Sequence, residues 1–230
     1  MTKILEVNSV SSGYGKKQVL YDISFSVEEG EVVLLIGNNG SGKSTLLKTI
    51  YGLLKPWKNE NGERGAIFFN GENITGAEPS ILIKRGLVYL PQKDNYFDNL
   101  DVESNLEVSG MTITDKRVLR KRIDNVYELF PALWGHRKRI PMKLSGGERQ
   151  MMIFGMAVLH SPRLILLDEP TLNLSPLNAG KILDMIPMLS KTLCAAVVFV
   201  EHKIRESTRV ANRVAKMSQG RIVEMGKTHV

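Results

Sequence analysis

Residues 37–45 read Gly37-Asn38-Asn39-Gly40-Ser41-Gly42-Lys43-Ser44-Thr45, which fits the pattern G-x-x-x-x-G-K-[ST]. The chemistry of that pattern is phosphate binding. Glycines let the backbone curl until its N–H groups converge, and the helix that follows adds the positive end of its dipole. Lys43 offers a point charge to the β- and γ-phosphates, and the Ser44 hydroxyl is placed to ligate Mg²⁺. A chance glycine-rich turn would lack the right flanks. Here a segment apolar at five successive positions, Val32–Ile36, precedes the loop, and helical periodicity begins at Lys43. The nine residues predict a nucleoside triphosphate site.

A second apolar run, Leu164–Leu167, ends in Asp168 and Glu169. A buried strand here brings Asp168 to the sheet edge, where it can hold Mg²⁺ directly or through water. Glu169 is then near an attacking water, as a general base must be. Solvated acids at strand ends are common, so the phosphate loop upstream carries this assignment. A third motif, Leu144-Ser145-Gly146-Gly147-Glu148-Arg149-Gln150, opens a helix. Ser145 followed three residues later by Glu148 makes a capping box. The adjacent Gly146 and Gly147 each cost roughly 1 kcal/mol of helix propensity, so a good helix start does not explain them. A ligand approaching the backbone closely does.

The elements that must position these groups follow from hydrophobic pattern. Ile4–Val7 and Val19–Val27 alternate apolar and polar residues, as half-exposed antiparallel strands do. Glu31–Ile36, Leu164–Leu167 and Ala195–Val200 are apolar almost throughout, the mark of strands covered on both faces. Helical period appears in Lys43–Leu54, Asp115–Phe130, Glu148–Leu159 and Pro176–Leu189. The fold class expected is α/β, a phosphate-loop core with a mainly parallel central sheet and an N-terminal antiparallel flank. Between about Gln92 and Phe154 there are helical segments and no strand, so a helical subdomain is inserted there. The expected division is a core of residues 1–91 and 155–230, with 92–154 forming the insert that carries the signature. Lys55–Gly65 is polar and turn-rich, hence a surface loop.

The string LSGGERQ, 23 residues before Asp168, resembles the signature of ATP-binding cassette (ABC) ATPases, and the motifs run in that family's order. On that resemblance Tyr14 matches the aromatic that stacks on adenine. Gln92 matches the glutamine that touches Mg²⁺ and water and reports to a membrane partner, and His202 the switch histidine at the γ-phosphate. The resemblance further implies that Ser145, Gly146, Gly147 and Glu148 close over ATP held by another subunit, so that two subunits sandwich two ATP molecules. Ser175 stands where many family members have aspartate, and the chain stops soon after Gly226, where many add a helix. The stretches around the phosphate loop, RGLVYLPQ and EPTLNLSPL look closest to ATP-binding subunits of branched-chain amino acid importers. Lipopolysaccharide transport and iron–sulfur assembly ATPases are the alternatives. The partners implied are a second ATPase subunit, transmembrane permease subunits and a substrate-binding protein. The place implied is the cytoplasmic face of the inner or plasma membrane, peripherally bound.

Composition narrows the rest. The 230 residues carry 31 Lys and Arg against 24 Asp and Glu, a net charge of +7. The single cysteine, Cys194, excludes a disulfide framework, and its apolar neighbours suggest a core strand position. Met151, Met152 and Met156 fall at helical spacing and read as core. No apolar run reaches the roughly 18 residues of a spanning helix, and no signal peptide is evident. Nine of the basic residues lie between Lys116 and Lys143, within the helical insert. A solvated face explains such a cluster, and attraction to anionic headgroups is the sharper alternative. No nucleic-acid partner is expected.

Overall fold

Alternating and continuous apolar segments separate into two sheets, as their patterns dictate. The computed structural model describes residues 2–58, 62, 64–93 and 95–228. In chain order the strands are β1 (Lys3–Tyr14), β2 (Lys17–Glu28), β3 (Val32–Ile36), β4 (Ala66–Phe69), β5 (Glu72–Asn73), β6 (Leu87–Leu90), β7 (Leu164–Asp168), β8 (Ala196–Val200), β9 (Arg213–Ser218) and β10 (Arg221–Lys227). The antiparallel sheet has the order β2-β1-β4-β5, and the larger sheet β10-β9-β3-β8-β7-β6. All neighbours in the larger sheet are parallel except β9 and β10. The α-helices are α1 (Lys43–Ile50), α2 (Pro79–Lys84), α3 (Val102–Ser109), α4 (Lys116–Leu129), α5 (Pro131–Trp134), α6 (Gly146–Val158), α7 (Pro176–Leu193) and α8 (Ile204–Thr208).

The central strands are apolar throughout because each faces two cores. Val32 and Leu34 of β3 join one cluster, and Val33 and Leu35 the other. Ile165 and Leu167 of β7 divide from Leu164 and Leu166 in the same way, as period two requires. The first core is closed by α6, α7 and the helices of the insert, the second by the antiparallel sheet with α1 and α2. Each large side chain fully buried there contributes about 1.5–3 kcal/mol.

The insert contains α3, α4 and α5, and no strand is present among its described residues. Helix α6 belongs to both parts, packing on α3, α4 and α5 and also on α7 and β6. The expected boundary between residues 154 and 155 falls inside it. Gly155 makes this possible, because a Cβ there would sit 2.6 Å from Val126 Cγ1 of α4. Met152 and Met156 are buried in this core and Met151 packs against it, as expected.

Several boundaries differ from the sequence reading. Helix α1 stops at Ile50, not Leu54, because Gly52 turns left-handed (φ 77°) and the Leu53 N–H bonds back to the Lys48 carbonyl at 2.9 Å. Cys194 is not a core strand residue. It caps α7 in a left-handed conformation (φ 51°), exposed, and the buried run starts only at Ala195. The loop 55–65 lies partly outside the described residues; Trp57 pairs with Ser11 at its start. In the basic cluster, Arg120 pairs with Glu103 and Asp124, Lys138 pairs with Glu103, and Arg122 donates to the Leu159 carbonyl at 2.6 Å. Arg137 lies 4.2 Å from the Trp134 ring centroid. Lys116, Arg117 and Lys121 remain exposed.

Candidate functional site

Parallel strands β3, β6, β7 and β8 end at one edge of the sheet, the place where open α/β sheets bind ligands. The loop leaving β3 bends through positive φ at Gly37 (152°), Gly40 (79°) and Gly42 (103°). At Gly37 a side chain would collide with the Met217 carbonyl, and at Gly42 a Cβ would sit 2.8 Å from Leu20 Cδ2. Gly42 is the N-cap of α1 and provides no side-chain cap, so the amides at the helix start point into the loop uncommitted. Lys43 folds back over the loop, its Nζ donating to the carbonyls of Gly37 (2.8 Å) and Asn38 (3.2 Å). Burial holds its pKa below the usual lysine range, opposed by the nearby charges of Glu169 and Asp168. The Ser41 hydroxyl is buried in this loop without a hydrogen-bond partner.

Asp168 ends β7 with only 4% of its surface exposed. Its Oδ1 accepts from the Ser44 hydroxyl (2.8 Å) and its Oδ2 from the Tyr89 hydroxyl (3.2 Å). Burial pushes its carboxyl above the usual range, and these two hydrogen bonds pull it back. A desolvated carboxylate beside a hydroxyl fits a small hard cation, which takes oxygen ligands and completes its shell with phosphate and water. Mg²⁺ bound there would neutralise charge on the β- and γ-phosphates. Gln92, which follows β6, is engaged elsewhere: its Nε2 donates to Glu169 Oε2 at 2.6 Å.

Glu169 is left-handed (φ 52°), a conformation costing a non-glycine residue on the order of 1–3 kcal/mol. Its surroundings hold it there. The Glu169 N–H donates to the Val200 carbonyl (3.1 Å), and its own carbonyl accepts from Leu172 (3.1 Å). Its side chain is clasped between Gln92 and His202 Nε2, the latter at 2.9 Å from Oε1. Tyr14, Lys43, Ser44, Gln92, Glu169 and His202 all line one open cleft of about 830 Å³.

Ser145, Gly146, Gly147 and Glu148 do not line that cleft. They open α6, where the expected capping box forms: the Ser145 Oγ accepts the Glu148 N–H (3.3 Å), and Glu148 Oε2 accepts the Ser145 N–H (2.8 Å). That backbone bond draws the Glu148 carboxyl below its ordinary pKa, aided by His136 2.9 Å away. Behind the glycines lies the segment after the acidic pair. A Cβ at Gly146 would sit 2.7 Å from Leu174 Cδ2, whereas one at Gly147 would meet Asn178 at an ordinary 3.6 Å. Ser175 caps α7, its Oγ accepting the Asn178 N–H (3.4 Å), a task aspartate also performs.

Two residues at the site escaped the sequence reading. Tyr89 lies on a buried strand, where a phenol needs a partner, and that need was the available signal. Glu201 directly follows β8 as Glu169 directly follows the neighbouring β7, a parallel visible once the two runs are aligned.

A buried strand leading through a glycine turn into a helix, with the lysine already folded over the turn, defines a phosphate-loop nucleotide-binding protein. The family model for ABC transporters matches residues 20–172, and the chain belongs to that family. It is 37% identical over 220 residues to a high-affinity branched-chain amino acid transport ATP-binding protein of Pseudomonas aeruginosa, covering 96% of this chain and 91% of that one. It is also 34% identical over 225 residues to a molybdate/tungstate import ATP-binding protein of Thermococcus kodakarensis, covering 97% of this chain and 64% of the relative. Among solved structures, an ATP-binding cassette of an ABC transporter in its ADP conformation superposes with a TM-score of 0.87 at 26% identity, over 99% of this chain and 92% of that one. The α/β fold with antiparallel flank and inserted helical subdomain is that of ABC ATPase domains.

Proposed function

We propose that this chain is the ATP-hydrolysing subunit of a transporter, working as a dimer that encloses two ATP molecules. The observation that carries the reading is Glu169, held by Gln92 and His202 at the edge of the cleft containing Lys43 and Ser44. Tyr14 stacks on the base; Gly37 to Thr45 receive the phosphates; Ser44, Asp168 and Gln92 would hold Mg²⁺, which would neutralise charge on the phosphates. Glu169 takes a proton from the attacking water, and His202 orients Glu169 and meets the γ-phosphate. Ser145, Gly146, Gly147 and Glu148 serve the partner subunit's ATP, which accords with their absence from this chain's own cleft. Residues 1–91 and 155–230 act as the nucleotide core and 92–154 as the insert facing permease subunits. No helix among the described residues is long and apolar enough to cross a membrane.

The relative from Pseudomonas aeruginosa favours branched-chain amino acid uptake as the process driven, with a substrate-binding protein as further partner. Attachment is peripheral, at the cytoplasmic face. The deciding experiment is Glu169→Gln. It should slow turnover by about 10²–10⁴-fold, the usual size of a general-base contribution, while ATP binding persists and an ATP-dependent dimer accumulates on size exclusion. Wild-type turnover in this variant sinks the assignment. Deleting the subunit from its own cell should abolish leucine, isoleucine and valine uptake, and loss of a different solute's uptake instead reassigns the cargo.

A further inference from the structure

The carboxylate of Glu201 is buried, 4% exposed, and no cation pairs with it among the described residues. Desolvating a carboxylate is costly, and packing alone would be served by a neutral side chain. Its two oxygens are engaged instead by backbone amides. Oε1 accepts the Thr171 N–H at 2.8 Å, and Oε2 accepts the His202 N–H at 3.3 Å. Strands β7 and β8 pair as far as Asp168 opposite Val200, and one more bond joins the Glu169 N–H to the Val200 carbonyl. Beyond that point the main chains part, and the Glu201 side chain spans the gap.

We infer that Glu201 is a positioning residue for hydrolysis. It ties Thr171, and with it the left-handed turn at Glu169, to the backbone of His202, so fixing the 2.9 Å approach of His202 to Glu169. It lies outside the set of residues lining the nucleotide cleft, so it acts through its neighbours. The inference rests on Glu169 being the general base.

The test is steady-state ATP hydrolysis by the full chain. Glu201→Ala removes both acceptors, and Glu201→Asp keeps the charge but shortens its reach by one methylene. Both should lower kcat by about 10–100-fold, the penalty of a misplacement on the order of 1 Å, with KM for ATP nearly unchanged. Glu201→Gln keeps a carbonyl oxygen for Thr171 but turns an amide N–H₂ toward the His202 N–H, so its kcat should fall between those of Glu201→Ala and wild type. Wild-type kcat in Glu201→Asp overturns the inference, as does a KM that rises in step with the fall in kcat. Should Glu201→Ala fail to fold, Glu201→Asp decides alone. Glu169→Gln, assayed alongside, separates the two claims. An active Glu169→Gln removes the base and the Glu201 role together; an inactive one beside normally active Glu201 variants removes only the latter.

Discussion

Two helices in this chain start at glycines, α1 after Gly42 and α6 at Gly146, yet they are finished differently. Helix α1 has Gly42 as N-cap and no side chain on its amides; α6 has Ser145 and Glu148 satisfying each other in a closed box. The first start is left open to an anion and is surrounded by Lys43, Ser44 and Asp168 from this same chain. The second is stable by itself and stands outside the cleft. An open cap needs a ligand to complete it, whereas a closed cap needs only to be presented. On the proposed function, the contrast separates a site that binds from a surface that is brought to a site.

Removing the lysine should show the largest difference. Lys43→Ala deletes charge-assisted contacts to phosphate and should weaken ATP binding by about 1.5–3 kcal/mol, roughly 10- to 150-fold, in a nucleotide titration of the single chain. Undiminished affinity would break the contrast at its stronger end. Ser145→Ala should leave that affinity alone and instead lower folding stability by about 1 kcal/mol, read from the urea midpoint, because only the α6 cap is lost. If ATP affinity of the monomer drops as well, α6 serves its own chain's nucleotide and the separation is wrong. Gly147→Ala meets Asn178 at ordinary contact distance, so stability should change by less than about 1 kcal/mol or rise slightly. The same variant in a Glu169→Gln background should dimerise less with ATP; full dimerisation would count against close approach of phosphate to Gly147.

The smallest effect expected is in pH dependence. The Asp168 carboxyl is raised above its ordinary 3.8 by burial, so the folded chain keeps this proton to higher pH than the unfolded chain does. Unfolding therefore releases a proton between the two values, and Asp168 makes stability fall as pH rises from 3.8 through the raised pKa. Asp168→Asn should remove that part of the slope and be the more stable protein at neutral pH, while losing ATPase activity. A steeper fall in the variant would contradict the burial argument.

Much of this was legible because it is written in local pattern. The phosphate loop, the acidic pair and the capping box each lie within nine consecutive residues, and the central strands are apolar on both faces. What could not be read depends on geometry across the chain. Cys194 sits within an uninterrupted apolar run, and only the tertiary turn after α7 puts it outside the core. Gln92 and Glu169 meet across 77 positions of sequence, and Tyr89 reaches Asp168 across 79. The end of α1 is hidden for a different reason: Gly52 marks it, but the apolar Leu53 and Leu54 keep the helical pattern running past it. Arg120 and Arg122 look like free surface charge, yet both are held by partners remote in sequence, while Lys116, Arg117, Lys121, Arg139 and Lys143 are exposed.

The shared helix α6 has a mechanical consequence. Its 13 residues give a shaft about 20 Å long, with Ser145 at the tip. A swing of the insert by about 10° about the far end would displace that tip by roughly 3 Å, on the scale of a single hydrogen bond. Val126 of α4 packs close against Gly155, so rotation of the insert would load this helix against its contacts with α7 and β6 of the core. A helix so placed would act as a lever arm, turning any small angular motion of the insert into a larger displacement at its end.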